Sequence, residues 1–226
     1  MVKSHIIKEL ANSEIDVITA LKRLKVLLSS FQNKKIADWV NSELNGYPTG
    51  AQIPEYRIIH GHIKGSYLVG YMSYNNAPLP LVGLDEETMN TLTRIELNQS
   101  IGTIVEIIQS KNECVCPLSS TISPQINSYI METTNIDSIV SSGVYFSFIN
   151  LKNIVTYLEN KILDILLYLE EQFGNLDEID IDTGSKPDND IKAIESHLTQ
   201  IIYQDNHISI GDNNLIKESD FINQRE

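Results

Sequence analysis

The sequence has little of what builds a recognisable catalytic or metal-binding centre. It holds two cysteines, five histidines and one tryptophan in 226 residues. It contains no Gly-rich phosphate loop, no Gly-x-Ser-x-Gly and no His-Glu-x-x-His pattern. Cys114 and Cys116 lie too close along the chain to favour a mutual disulfide, and two thiols fall short of a four-ligand zinc site. We therefore expect reduced thiols, no metal and no cofactor.

The only other candidate metal ligands at suggestive spacing are His60 and His62. Two residues that alternate on a strand point to one face of the sheet, so both rings would lie on the same side. No nearby Cys, Asp or Glu completes a ligand set. The acidic stretch 176–190 does not match a calcium loop either, because Thr183 stands where the turn glycine belongs and Asn189 where the closing glutamate belongs.

The chain is also poor in positive charge outside its first third. Residues 1–64 hold nine Lys and Arg against six Asp and Glu, whereas the remainder holds eight against twenty-four. A net charge of -13 would repel a phosphate backbone, so direct nucleic-acid binding by the whole surface is not expected. The small basic groups at 22–25 and 34–35 are typical of solvated helix faces, with a contact patch as the alternative.

Long hydrophobic runs are missing as well. The most apolar run, 162–169, is interrupted by Asp164 and is less than half of the roughly 20 residues that cross a bilayer. No hydrophobic signal follows Met1, and the cysteines do not form a disulfide framework. We therefore predict a cytoplasmic protein without membrane contact.

What is present is a mixture of helical and strand patterns. Apolar residues at helical spacing predict helices, and clusters of β-formers next to Gly and Pro predict strands and turns. The predicted helices are 6–10, 15–28, 33–44, 85–92, 99–110, 124–133, 151–173 and 191–203. A hairpin is predicted from 56–63 and 67–71 around Lys64-Gly65-Ser66, followed by a loop at 75–80 and a later strand at 138–149.

These patterns predict an α+β fold that is predominantly helical, with a small antiparallel sheet and a short β-prone C-terminal tail. The predicted organisation is a domain at 1–175, an acidic linker or loop at 176–190, an amphipathic helix at 191–203 and a tail at 204–226. Pro, Gly, Ser and acidic residues together mark the linker.

Polar and aromatic residues between positions 39 and 57 form the candidate for a functional site. Glu43 lies four residues after Trp39, on the same face of a predicted helix. Arg57 follows a strand predicted to begin at a proline and can return to pair with Glu43, with Tyr47 and Tyr56 as flanking rings. The pair either locks the helix to the hairpin or forms a polar pocket whose guanidinium binds a carboxylate or phosphate.

The same residues carry a family resemblance. The chain resembles an AbiTii domain, a family associated with abortive-infection phage defence in bacteria, over roughly residues 3–184. The resemblance rests on Trp39, Glu43-Leu44, Gly46-Tyr47-Pro48 and Pro54-x-Tyr56-Arg57, with support from Gln99-Ser100-Ile101, Ile162-Leu163-Asp164 and Leu169-Glu170. It implies a role in antiviral defence but supplies no catalytic residues. AbiTii domains often precede a longer second domain, whereas here a helix and a short tail follow.

The tail has an unusual pattern of its own. Apolar and polar residues alternate around an Asp-Asn-Asn turn at 212–214, and the segment resembles Asn/Gly-punctuated β-solenoid repeats and amyloid-type signalling motifs. The residues predicted to mediate self-association are Ile208, Ile210, Asn213, Asn214 and Ile216. Docking on the chain's own domain and a frayed terminus are the alternatives.

Three hypotheses of function follow. The first is a defence protein that acts through a homo-oligomer or through a host or phage protein. The second is a defence enzyme with a pocket lined by Glu43, Tyr47, Tyr56 and Arg57. The third is an inhibitor whose acidic surface masks a basic toxin.

Overall fold

The computed structural model describes residues 3–111, 114–118 and 122–203. Within these ranges the chain forms the predicted α+β fold, which is predominantly helical with small antiparallel sheets. The helices are α1 (His5–Ala11), α2 (Val17–Leu28), α3 (Lys34–Asn45), α4 (Glu86–Thr93), α5 (Ile101–Ser110), α6 (Ile122–Thr133), α7 (Phe148–Phe173) and α8 (Asp188–Tyr203). The strands are β1 (Ile58–His60), β2 (His62–Val69), β3 (Met72–Pro78), β4 (Arg94–Glu96), β5 (Cys114–Pro117) and β6 (Ser138–Phe146).

The predicted helices are confirmed, although their ends shift by a few residues. Neighbouring side chains set these ends, because they satisfy the backbone groups that a helix leaves without partners. The carboxylate of Asp16 accepts a hydrogen bond from the N–H of Thr19 at the start of α2. Ser147 and Asn150 form a reciprocal capping box at the start of α7. Gly174 follows α7 with φ 86°, in the left-handed region that glycine adopts without strain.

The larger hydrophobic core is helical. α2 supplies its centre, where Ala20, Leu21, Leu24 and Leu27 are completely buried. Spacings of three and four residues, from Leu21 to Leu24 to Leu27 and from Ala20 to Leu24, place these side chains on one broad face of the helix. α1, α3 and α7 pack against α2, and α8 packs against α3 and α7. Residues of α7 such as Leu158 and Ile162 belong to the same core.

A second core lies beneath the sheets. β1 pairs with β4 in a two-stranded antiparallel ladder, and a separate antiparallel sheet has the order β3-β2-β6-β5. Ile63 of β2 lies opposite Val144 of β6, and both are buried in the same core as Leu151 and Ile154 from the first turns of α7. α7 therefore contributes to both cores.

The predicted hairpin is wrong in its turn. Lys64-Gly65-Ser66 lies inside β2, and the chain turns at 70–71 to enter β3. Gly65 serves a close approach of two strands, since a Cβ atom there would lie 2.2 Å from the carbonyl oxygen of Ser141 on β6. The glycine between the two groups of β-formers is therefore explained by the close packing of two strands and not by a turn.

Two further strand predictions are corrected. The predicted loop at 75–80 largely belongs to β3, which accommodates Pro78 because it is an edge strand of the described sheet. The predicted strand at 56–63 begins instead as a 3₁₀ turn at Glu55–Arg57 and then breaks at Gly61. His60 and His62 consequently lie in different sheets, and no group of three or more His, Cys, Asp or Glu side chains suited to a metal ion occurs in the described residues.

The segment after α7 folds back onto the helical core. Leu176 and Ile181 are buried there, a 3₁₀ turn follows at Thr183–Ser185, and α8 begins at Asp188, three residues before its predicted start.

None of the helices described is both long and apolar enough to cross a membrane. The tail predicted at 204–226 lies outside the described residues.

Candidate functional site

Glu43 and Arg57 form a buried ion pair at the junction of the two cores. Glu43 lies in the last turns of α3, and Arg57 ends the 3₁₀ turn before β1. Nε of Arg57 donates to Oε1 of Glu43 at 3.0 Å, and its Nη2 donates to Oε2, so the contact is bidentate. Both side chains are 0% exposed. The sequence prediction that Arg57 returns to pair with Glu43 agrees with this geometry.

Three aromatic side chains complete this group. The hydroxyls of Tyr47 and Tyr56 each donate to Oε1 of Glu43 at 2.6 Å. Nε1 of Trp39 donates to the hydroxyl oxygen of Tyr56 at 2.9 Å. We refer to Trp39, Glu43, Tyr47, Tyr56 and Arg57 as the polar cluster. All five were singled out by the sequence, and the structure brings all five together.

Arg57 also has partners that sequence reasoning missed. Its Nη1 donates to the carbonyl oxygens of Leu97 and Gln99, at 3.0 and 2.7 Å. Its guanidinium lies over the ring of Tyr47, 5.1 Å from the centroid. Because the new partners are main-chain carbonyls, their side-chain identities carry no signal. One side chain thus joins α3, the 3₁₀ turn and the segment between β4 and α5.

Local backbone geometry holds the segment beside Arg57 in place. Gly46 ends α3 with φ 95°, and a Cβ atom there would lie 2.9 Å from the carbonyl oxygen of Asn98. The next residue, Tyr47, donates its N–H to that same oxygen at 2.7 Å. A glycine is therefore required both for the conformation and for the close approach of the two segments.

The electrostatics of the polar cluster favour fixed protonation states. Burial raises the pKa of Tyr56 well above its ordinary value, and the neighbouring charge of Glu43 raises it further. Burial and Glu43 act in the same direction on the pKa of Tyr47. Burial alone would lower the pKa of Arg57, but the carboxylate of Glu43 more than offsets this and the net pKa is raised. At neutral pH both phenols remain donors and Arg57 remains charged.

A buried lysine links the polar cluster to α8. Nζ of Lys161, in the middle of α7, donates to the carbonyl oxygens of Ile201 and Ile202 at 2.8 and 2.7 Å. It also lies 5.4 Å from the ring centroid of Tyr56 and 5.0 Å from that of Tyr157. The sequence holds one signal for this residue, because Lys161 directly precedes the most apolar run of the chain.

A second buried carboxylate lies at the far end of α7. Oε1 of Glu170 accepts hydrogen bonds from the N–H and the hydroxyl of Ser4, both at 2.6 Å. Oε2 forms an ion pair of 2.7 Å with the more exposed Lys3. This contact fastens the N-terminus of the described chain to α7.

Two surface depressions among the described residues lie away from the polar cluster. One of about 460 Å³ is lined mainly by α4 residues with His60 and Arg94. Another of about 400 Å³ lies beside His62, Lys64 and Tyr145. Neither includes a residue of the polar cluster. The predicted self-association residues Ile208, Ile210, Asn213, Asn214 and Ile216 lie outside the described residues.

The fold and the polar cluster define an α+β domain of two cores that a buried glutamate–arginine pair joins. The AbiTii family model matches residues 4–195, and the chain belongs to this family. The match includes every residue of the polar cluster as well as Lys161 and Glu170. Membership suggests a role in abortive-infection defence against phage. Neither the curated proteins nor the solved structures gave a significant match to the chain.

Proposed function

We propose that this chain is a cytoplasmic phage-defence protein of the abortive-infection type that acts by association. The association is with further copies of the chain, or with a host or phage protein. Membership of the AbiTii family supports the defence role. The geometry of the polar cluster counts against the alternative of an enzyme whose pocket lies at Glu43 and Arg57.

The observation that carries this choice is the complete enclosure of the ion pair. Glu43 and Arg57 are 0% exposed, and the carboxylate accepts four hydrogen bonds from protein groups. Four donated hydrogen bonds of the guanidinium end on protein oxygens. A substrate carboxylate or phosphate would therefore have to displace an existing partner. This satisfied arrangement is typical of a structural pair and counts against a binding pocket.

The tail supports the association half of the proposal. Residues 206–211 carry no Asp, Glu, Lys or Arg, and their isoleucines at 208 and 210 alternate with polar residues. A short segment of this kind cannot bury its apolar face by itself and gains most from pairing with another strand.

The test is the plating efficiency of phage on cells that express the full chain or tail variants. We expect the double substitution Ile208→Lys and Ile210→Lys to abolish protection, because two charges on the apolar face oppose strand pairing. Ser209→Lys is the matched control, since it adds a charge to the same tail on the opposite face, and it should keep most of the protection. All proteins must be compared at equal soluble levels.

Two outcomes would contradict parts of the proposal. Equal protection by the wild type and the double variant would remove the tail from the mechanism. Loss of protection in Arg57→Ala with an unchanged melting temperature would favour the enzyme hypothesis, because a structural pair cannot be removed without loss of stability.

A further inference from the structure

One of the two surface depressions combines basic side chains with aromatic rings. The depression of about 400 Å³ lies where β2 and β6 meet the start of α7. None of the described residues that line it is acidic, whereas two glutamates of α4 line the depression of about 460 Å³. We call the site formed by His62, Lys64, Lys111, Tyr145 and Phe148 the basic depression.

Strand pairing places three of these side chains on one face of the sheet. His62 of β2 lies opposite Tyr145 of β6, and directly paired residues project to the same side. Lys64 follows two residues after His62 and shares that side, opposite Gly143, which has no side chain. Nζ of Lys64 lies 5.4 Å from the ring centroid of Tyr145. A cation and an aromatic ring therefore lie side by side on this face.

The start of α7 adds further positive potential. The N–H of Ile149 donates to the hydroxyl of Ser147 at 3.1 Å, whereas for the N–H of Phe148 the described part of the chain contains no hydrogen-bond partner. The first turn of α7 contains no acidic residue to offset the partial positive charge of a helix N-terminus. One turn later, Nζ of Lys152 lies 5.4 Å from the ring centroid of Phe148. A second cation–aromatic pair therefore borders the basic depression.

This concentration of positive charge stands out in an acidic chain. Only eight Lys and Arg follow residue 64, against twenty-four Asp and Glu. Two of these eight, Lys111 and Lys152, come from different helices to the same depression. Lys111 ends α5 with φ 53°, a left-handed conformation that helix ends usually give to glycine or asparagine. The fold thus brings scarce cations together around one concave surface.

We propose that the basic depression binds a small phosphate-bearing ligand with an aromatic base, which is the chemistry of a nucleoside mono- or diphosphate. Lysine side chains and the N–H groups at a helix start both bind phosphate oxygens. The partly buried rings of Tyr145 and Phe148 offer apolar surface against which a base can stack. A volume of about 400 Å³ lies within the range of small-molecule sites.

Charge favours a small ligand over a nucleic-acid strand. The net charge of -13 would repel a polyphosphate chain that extends beyond the basic depression. A mononucleotide places its few charges at the lysines alone. The site contains no residue of the polar cluster or of the tail, so this inference goes beyond the proposed association and does not depend on it.

The experiment is isothermal titration calorimetry of the full chain with ADP, at low salt and without divalent cations. We expect Lys111→Asn and Lys152→Gln each to raise the dissociation constant about threefold or more, because each removes a charge that binds phosphate. Asparagine accepts the left-handed conformation, so the melting temperature of Lys111→Asn should not fall. Lys186→Gln is the matched control, because Nζ of Lys186 lies 5.4 Å from the ring centroid of Phe173, outside the basic depression. It should leave the dissociation constant unchanged.

Fragments of the probe test the two halves of the site. Pyrophosphate carries the charge without the base, and adenosine carries the base without the charge. We expect ADP to bind more tightly than either fragment. Added salt should weaken the binding of ADP and leave that of adenosine nearly unchanged, because salt screens contacts between charges.

Four results would overturn the proposal. The first is the absence of saturable ADP binding at millimolar concentrations. Equal affinities for ADP and pyrophosphate would exclude a role for the rings. Tighter binding of a short oligothymidylate than of ADP would indicate a nucleic-acid strand as the ligand. Equal losses in Lys186→Gln and Lys152→Gln would assign binding to overall charge. Because the titration involves no phage, none of these results decides the proposed association.

Discussion

α2 and β3 both carry large apolar side chains, yet the two elements place them in opposite environments. Leu21, Leu24 and Leu27 of α2 are completely buried, because helices pack against that face from several sides. Met72 and Tyr74 of β3 are exposed, and among the strands that the structure describes β3 has a neighbour on one side only. Burial of apolar surface is the main source of stability, so the helical core stabilises the fold. The described edge of the sheet leaves Met72 and Tyr74 exposed to solvent.

The polar cluster lies between the helical core and the sheets and links them. Glu43 belongs to a helix of the helical core, whereas Arg57 directly precedes the first strand. Removal of the pair should therefore loosen the junction, and changes at the sheet edge should leave it intact.

Arg57→Ala should have the largest effect. It leaves the carboxylate of Glu43 buried without its cation, which typically costs about 3–5 kcal/mol of the free energy of unfolding. Urea denaturation followed by circular dichroism measures this loss. Arg94→Ala is the matched control, since Arg94 pairs with Glu96 where both side chains are nearly half exposed, and surface pairs contribute about 0–1 kcal/mol. Similar losses in both variants would show that the buried pair does not lock the junction.

Lys161→Met should loosen the helical core at α8. Methionine keeps the volume of the side chain but leaves the carbonyl oxygens of Ile201 and Ile202 without their donor, at a cost of roughly 2 kcal/mol. Hydrogen exchange should become faster in α8 and stay unchanged in β2 and β6. Lys152→Met, at an exposed position of the same helix, should leave α8 unchanged. Uniform acceleration across the whole chain would contradict a local role.

Acid should weaken the attachment of the N-terminus to α7. Burial raises the pKa of Glu170, but hydrogen bonds from Lys3 and Ser4 outweigh this effect, and the net pKa lies below its ordinary value of 4.5. A lowered folded-state pKa contributes stability that is present above pH 4.5 and is lost as the pH falls through the folded-state value. Thermal unfolding between pH 7 and pH 3 should show this loss in the wild type.

Glu170→Gln separates this contribution from general acid effects. Glutamine does not titrate, so the variant should be less stable near neutral pH and should lose less stability between pH 5 and pH 3. Glu171→Gln, at an exposed position of the same helix, should keep the pH dependence of the wild type. Parallel pH profiles for the wild type and Glu170→Gln would contradict the contribution of this carboxylate.

The helices and the composition of the polar cluster were predictable from the sequence. Helical spacing and capping residues such as Asp16 act within a few residues of each other, so the local pattern contains the information. The spacing of Trp39 and Glu43 placed them on one helical face, and the opposite charges of Glu43 and Arg57 suggested the pair. The family resemblance drew on the same residues and is confirmed by the match over 4–195.

The strand pairing of the sheet and the complete burial of the polar cluster could not be predicted from the sequence, because both depend on contacts between distant residues. Gly65 indicated a turn by its local pattern, but its partner is a carbonyl group on β6, far away in the sequence. Pro78 indicated a loop, but a strand accepts proline at a sheet edge, and only the strand order shows which strand is the edge.

By itself, the sequence determined the helical framework, the family and the residues of the polar cluster. Tertiary structure decided that the cluster is closed, since Arg57 also binds main-chain carbonyls whose positions do not depend on side-chain identity. It also decided that β3 lies at one edge of the four-stranded sheet that the structure describes. Local interactions are encoded in neighbouring residues, whereas strand order and enclosure arise only when distant segments pack together.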